Sequence, residues 1–300
     1  MNGADDRMGY LLFVTALWAF SFSLIGEYLS GQVDSDFAVL TRVLLGGLVF
    51  LPLLRLAGLR RSLIAGMLLV GALQFGVTYL CLYRSFAYLT VPEVLLFTIT
   101  TPLYVTLLDD ALHRRFAPVA LVAAGLAVVG AGIIRYEGLS EGYWLGFFLL
   151  QVANCAFAAG QVGFKHLLQR YPTETPAYRY FFLFFIGALA VTLPAWLVFG
   201  DRTMMPETAA QWLVLLWLGV AASGLGLYLW NRGGCLVDAG TLAVMNNALV
   251  PAGLLVNLLV WNRDADLLRL AAGGLVIAFS LWVNARFSRY ARLEVFGTTR

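Results

Sequence analysis

The stretch 237–261, VDAGTLAVMNNALVPAGLLVNLLVW, is long and apolar enough to cross a membrane, yet Asn246 and Asn247 stand side by side near its middle and Pro251 follows one turn later. About 20 apolar residues span a hydrocarbon core, so 239–261 is predicted to be a transmembrane helix. Proline cannot donate to the preceding turn, which frees the carbonyl of Asn247. Two amides and an unpaired acceptor then gather at mid-membrane depth, where lipid offers no hydrogen bonds. That is the chemistry of a binding site; a kinked packing pair without a ligand is the plainer alternative.

A related arrangement lies at 92–107, PEVLLFTITTPLYVTL, with Thr98, Thr100, Thr101, Pro102 and Tyr104. A shift of about 149 residues carries Pro102 onto Pro251, one of about 148 carries Arg84 onto Arg232 and Ala123 to Gly125 onto Ala271 to Gly273, and one of about 137 carries Arg42 onto Arg179. Offsets that grow along the chain are what loop insertions produce between two related halves. Five crossings per half turn the second copy upside down, and the substrate of such a carrier sits where the copies meet. The expectation is therefore an all-α polytopic membrane protein of ten transmembrane helices, built as two inverted five-helix repeats over 1–136 and 137–300.

Composition agrees: of 300 residues, 61% are hydrophobic and 12% charged, with a mean hydropathy of +0.81. A soluble domain needs more polar surface than this. The predicted spans are roughly 8–26, 37–56, 62–83, 91–108, 117–134, 142–164, 177–199, 211–230, 239–261 and 269–285. The first is read as a retained helix rather than a signal peptide, since it is too long and lacks a small-residue cleavage site. Arg55, Arg60, Arg61, Arg114, Lys165, Arg170 and Arg232 fall on one side, against Arg84, Arg135 and Arg202 on the other. The positive-inside rule then places both termini in the cytoplasm. The net charge of +3 is mostly an orientation signal and gives no reason to invoke nucleic acid.

On the sixth segment Gln151, Asn154, Ala158, Gln161 and Lys165 recur at helical spacing and share one face. That face must meet protein or water: either a cavity, or a hydrogen-bonded seam with Lys165, the chain's single lysine, reaching to the boundary. Trp18 and Phe22, then Phe75, Tyr79 and Tyr83, then Tyr228 and Trp230 form aromatic stripes. Such stripes usually pack, but Thr15, Gln74 and Thr78 share the helices of the first two groups, and rings beside polar groups can stack on a flat heterocycle. Arg42 and Arg179 sit about a turn inside their helices. Snorkelling explains both, while Arg42 opens outward and could attract an anion. Acidic residues such as Glu27, Glu93 and Asp109 lie only near segment ends.

Cys81, Cys155 and Cys235 fit no ligand or CxxC spacing and are read as small buried hydrophobes, without disulfide or metal. No nucleophile triad, phosphate loop or paired-carboxylate motif is present, so neither an enzyme nor a cofactor is expected.

The five-helix halves, the Trp in the first helix and the Pro-bearing fourth and ninth helices resemble EamA-type members of the drug/metabolite transporter superfamily, over nearly the whole chain. The strings at 17–42, 92–107, 130–136 (GAGIIRY), 160–167 (GQVGFKHL) and 237–261 resemble its enterobacterial biotin-transporting branch. The resemblance implies biotin uptake across the bacterial inner membrane by a protein whose partners are substrate and bilayer, with a monomer expected. In that reading Gln151, Asn154, Asn246 and Asn247 would meet the ureido ring, with Thr101 beside them at the helix-4 proline. Trp18, Tyr79 and Tyr83 would cover the ring faces. Lys165, or failing it Arg42, would meet the valerate carboxylate. Export of aromatic amino acids on the same fold, and a structural subunit without a cavity, are the competing readings.

Overall fold

The computed structural model describes residues 5–114, 116, 118–135, 142–260 and 267–297, and every regular element among them is helical. Helix α1 (Asp5–Leu24) runs into a π turn, Ile25–Leu29. Gly31, at φ 69°, supplies the left-handed residue of the following turn. Helix α2 (Ser35–Phe50) is capped by Asp34, whose carboxylate accepts the Phe37 N–H at 2.8 Å. Next, α3 (Arg61–Gly71), a π turn (Ala72–Val77) and α4 (Thr78–Ser85) form one continuous rod.

Helices α5 (Val91–Thr98) and α6 (Thr101–His113) replace the single helix expected over 91–108. Pro102 lies in the first turn of α6, where its missing N–H is harmless. After α7 (Pro118–Arg135) come α8 (Trp144–Arg170) and α9 (Phe182–Phe199). Helix α10 (Ala209–Trp217) opens on a capping box of Thr208 and Gln211 and continues through a π turn (Leu218–Leu225) into α11 (Gly226–Leu236). Helices α12 (Ala239–Asn247) and α13 (Leu249–Val260) replace the predicted span 239–261, parting at Ala248 because Pro251 cannot continue the ladder. Helix α14 (Leu267–Gly297) runs well past the expected end at 285. The junction expected near 135–141 lies almost wholly outside the described residues.

Six of these runs are long and apolar enough to cross a bilayer: Met8–Leu29, Ser35–Leu53, Arg61–Ser85, Trp144–Arg170, Phe182–Phe199 and Ala209–Leu236. Their outward faces carry Leu12, Phe13, Leu48, Leu69, Val198 and Leu213, a surface suited to lipid. The chain is a multi-pass membrane protein. Cys155 is exposed on that surface and Cys81 and Cys235 are half-buried, which corrects the expectation of buried cysteines: the small-residue face of α8 turns Cys155 away from the core.

Helix α2 crosses α9 and the 218–225 turn, α9 also packs on α3 and the 72–77 turn, and α8 lies along α3, α4 and α6. Helix α1 runs against α11 and α13, α6 against α12, and α7 against α14. Two glycines set the α3–α9 distance. A methyl group on Gly71 would collide with the backbone of Phe184, and one on Gly187 with the backbone of Leu68. Small residues at a crossing let membrane helices touch through their main chains. Beside this seam Phe50, Phe181, Phe184, Phe185 and Tyr228 interlock with ring centroids 4.8–5.9 Å apart.

Candidate functional site

A cavity opens where α1, α2, α4, α8 and α11 meet the broken pairs α5–α6 and α12–α13. Thr15, Trp18, Ser21, Phe22 and Ile25 line it from α1 and its π turn, Arg42 from α2, and Thr78, Tyr79 and Leu82 from α4. Thr98, Thr101, Leu150, Ala153, Asn154, Phe157, Trp230, Asn246 and Leu249 complete the wall. The space between these walls comes to about 830 Å³ when the open solvent at its mouth is included.

Arg42 is the cavity's charge. Only 1% exposed, it donates from Nε to Ser223 Oγ at 2.9 Å and from a terminal nitrogen to Tyr83 Oη at 2.8 Å. Its guanidinium carbon lies 4.5 Å from the Tyr79 ring centroid and 5.6 Å from that of Tyr83. Two of the three π turns deliver these partners: Ser223 belongs to the 218–225 turn, and Tyr79 lies two residues beyond the 72–77 turn. Such turns recur at functional sites because the extra residue re-aims the side chains around it. Among the described residues no carboxylate pairs with Arg42. A buried cation without a counter-charge is expensive, and this one is held by rings and hydroxyls that cannot neutralise it.

Another part of the lining is aromatic. Trp18 and Trp230 lie with centroids 5.0 Å apart, and Phe157 meets Trp18 edge-on at 6.0 Å. The indole N–H of Trp18 donates to the Ala222 carbonyl, and that of Trp230 to Gln161 Oε1, each at 2.8 Å. Gln161 donates in turn to Asn246 Oδ1 at 3.4 Å, and Asn246 to the Leu242 carbonyl at 2.8 Å. The ring faces are thus left for contact while their polar edges are satisfied.

The amides of α8 and α12 have a task that the sequence did not reveal. Where α5 gives way to α6, Asn154 donates to the Phe97 carbonyl at 2.8 Å and to Thr100 Oγ1 at 3.1 Å. Gln151 donates to the same carbonyl at 3.3 Å and accepts from Thr100 and Tyr104. Asn247 donates to the Ile99 carbonyl at 2.9 Å. A broken membrane helix persists only where such freed carbonyls find donors.

Of the residues expected to form the site, Trp18, Arg42, Tyr79, Thr101, Asn154 and Asn246 line the cavity. Tyr83 stands behind Arg42, while Gln151 and Asn247 face the helix break. Lys165 is absent from the lining. It lies eleven residues beyond Asn154, about 16 Å along α8, and its ammonium donates to the Val237 carbonyl between α11 and α12. Sequence reasoning passed over Ser21 and Ser223, small polar residues within apolar runs whose only signal was their setting.

The family model of the EamA-like transporter family matches residues 7–136. A Pseudomonas aeruginosa protein named "Probable biotin transporter" is 62% identical over 288 residues, covering 96% of this chain and 99% of its own. The chain belongs to the EamA-like transporter family. Proteins of Escherichia coli and Salmonella typhimurium, each named "Biotin transporter", are 48% identical over 281 residues, 93% of this chain and 93% of theirs. A crystal structure 16% identical in sequence superposes with a TM-score of 0.75 over 95% of this chain and 99% of its own, which speaks for the fold alone.

Proposed function

We propose that this chain is a secondary transporter that carries biotin into the bacterial cell across the inner membrane by alternating access, as a monomer. The observation that carries the reading is Arg42: a buried guanidinium with no carboxylate partner among the described residues, on a cavity lined by aromatic and apolar residues with a few hydroxyls and amides, calls for a flat ligand with a carboxylate. Biotin has that form, and the close relatives named as biotin transporters support it. In this reading Arg42 meets the valerate carboxylate, Trp18 and Tyr79 cover the bicyclic ring, and Thr101, Asn154 and Asn246 border its polar edge. Tyr83, Gln151 and Asn247 hold the walls in shape. The role of cation passes from Lys165 to Arg42. No catalysis, metal or cofactor is assigned.

The architecture proposed is ten helices in two inverted units, 1–136 and 137–300, with both termini cytoplasmic. Several features support it. The third and eighth segments both pass through π turns, and the fourth and ninth are both broken. Packing pairs correspond under exchange of the units: α8 on α4 with α1 on α11, and α8 on α6 with α1 on α13. In that orientation most of the cavity belongs to the outer half of the membrane, and Trp230 and Asn246, linked through Gln161, form its floor. A cavity placed there supports the reading of an importer that loads from outside. Uptake of labelled biotin by cells unable to make it, with and without this chain, tests the reading. A membrane-inserted, folded protein that neither binds biotin nor restores growth at low external biotin would overturn it.

A further inference from the structure

The cavity's hydroxyls are not equivalent. Thr15 donates to the Leu11 carbonyl at 2.8 Å, Thr78 to Leu73 at 2.9 Å, Thr98 to Leu95 at 2.9 Å and Thr101 to Thr98 at 2.7 Å. This is the ordinary fate of a hydroxyl on a helix, where a nearby carbonyl is always within reach. Ser21 departs from it. Its Oγ is buried and has no hydrogen-bond partner, although its side chain is only 7% exposed and lines the cavity from α1. A buried hydroxyl left unpaired is costly, and one beside a ligand cavity keeps its donor for whatever enters.

Asn154 complements it. Both of the donors on its Nδ2 are engaged, with the Phe97 carbonyl and Thr100, whereas its Oδ1 serves no described partner. From α1 and α8 the cavity therefore offers one unspent hydroxyl donor and one amide acceptor, at a distance in chemistry from the charge of Arg42. We infer that Ser21 is a specificity-determining contact, donating to a carbonyl oxygen on the neutral head of the ligand while Asn154 Oδ1 accepts an adjacent N–H. The inference rests on the proposed reading of the cavity and deepens it: the preferred ligand is a carboxylate whose far end carries a cyclic urea or amide. A head group with an N–H in place of the carbonyl would turn Ser21 into an acceptor and leave its own buried O–H with no acceptor in reach among the described residues.

The test compares biotin with 2-iminobiotin near neutral pH, where the protonated cyclic guanidine replaces the ring carbonyl by an N–H group. Binding of each to the purified full chain is measured for wild type, Ser21→Ala and Ser21→Cys, the thiol being nearly isosteric but a weak donor. The expected result is that wild type prefers biotin, and that both substitutions reduce this preference about tenfold, chiefly by weakening biotin, as loss of one buried hydrogen bond allows. The same preference in wild type and in either folded variant overturns the role of Ser21 and leaves biotin transport standing. A wild-type chain that binds neither compound overturns the transport reading and this inference with it.

Discussion

The Arg42 guanidinium lies over the ring of Tyr79, 4.5 Å from its centroid, while the neighbouring Tyr83 accepts one of its hydrogen bonds. One helix turn thus fixes the position of the cation in two ways without cancelling its charge. A carboxylate arriving in the cavity would meet a donor fork already oriented, which limits the entropy lost on binding.

Arg42→Gln is expected to weaken biotin binding on the order of 100-fold, as removal of a buried charge partner does. A neutral biotin amide should lose less than about threefold in the same variant. Arg42→Lys keeps the charge but not the planar fork, and should fall between the two. Equal losses for acid and amide, measured by titration calorimetry, would assign Arg42 to the scaffold.

Asn246 and Asn247 should separate cleanly. Adjacent helical positions diverge by about 100°, and here Asn246 borders the cavity whereas Asn247 ties down the Ile99 carbonyl. Asn247→Leu is expected to destabilise the protein by about 1–3 kcal/mol through that orphaned carbonyl. Asn246→Leu should instead lower affinity with a smaller change in melting temperature. The reverse pattern in thermal unfolding and binding assays would refute the division.

Lys165→Met is expected to leave the preference for biotin over its amide unchanged, because the ammonium lies on the Val237 carbonyl and off the cavity. Any change in transport rate is expected to come through the α8–α11 contact. A drop in acid preference to match that of Arg42→Gln would return the carboxylate to Lys165.

Gly187→Leu should be far more damaging than an apolar substitution on the lipid face, such as Leu213→Ala. The added side chain has to displace the main chain of Leu68, a cost of about 3 kcal/mol or more. Detergent stability of the two variants checks this directly, and similar melting temperatures would contradict it.

Membrane character and the position of nearly every helix could be read in the sequence, because apolar runs of membrane length admit few alternatives. Trp18, Arg42 and Tyr79 were also legible as polar or aromatic residues on shared faces. What could not be read was direction. Asn154 and Gln151 read as ligand amides, and only the α5–α6 break reveals their second task, as donors to the Phe97 carbonyl. Lys165 drew attention as the single lysine, yet its ammonium lies on the Val237 carbonyl and outside the cavity lining. Cys155 keeps the helical period of its neighbours but falls on the side of α8 that faces outward. Ser21 had only its setting in an apolar run to mark it, since what sets it apart is a hydrogen bond that it does not make.

The close approach of Gly71 and Gly187 to opposing main chains also bears on motion. Side chains that interdigitate can slide by changing rotamer, but two backbones in direct contact have no such slack. Helices α3 and α9 must therefore travel as one body, although they lie far apart in the chain and on either side of its midpoint. A rigid unit is thus assembled across the sequence halves, and any seam that opens during transport has to run elsewhere than between α3 and α9.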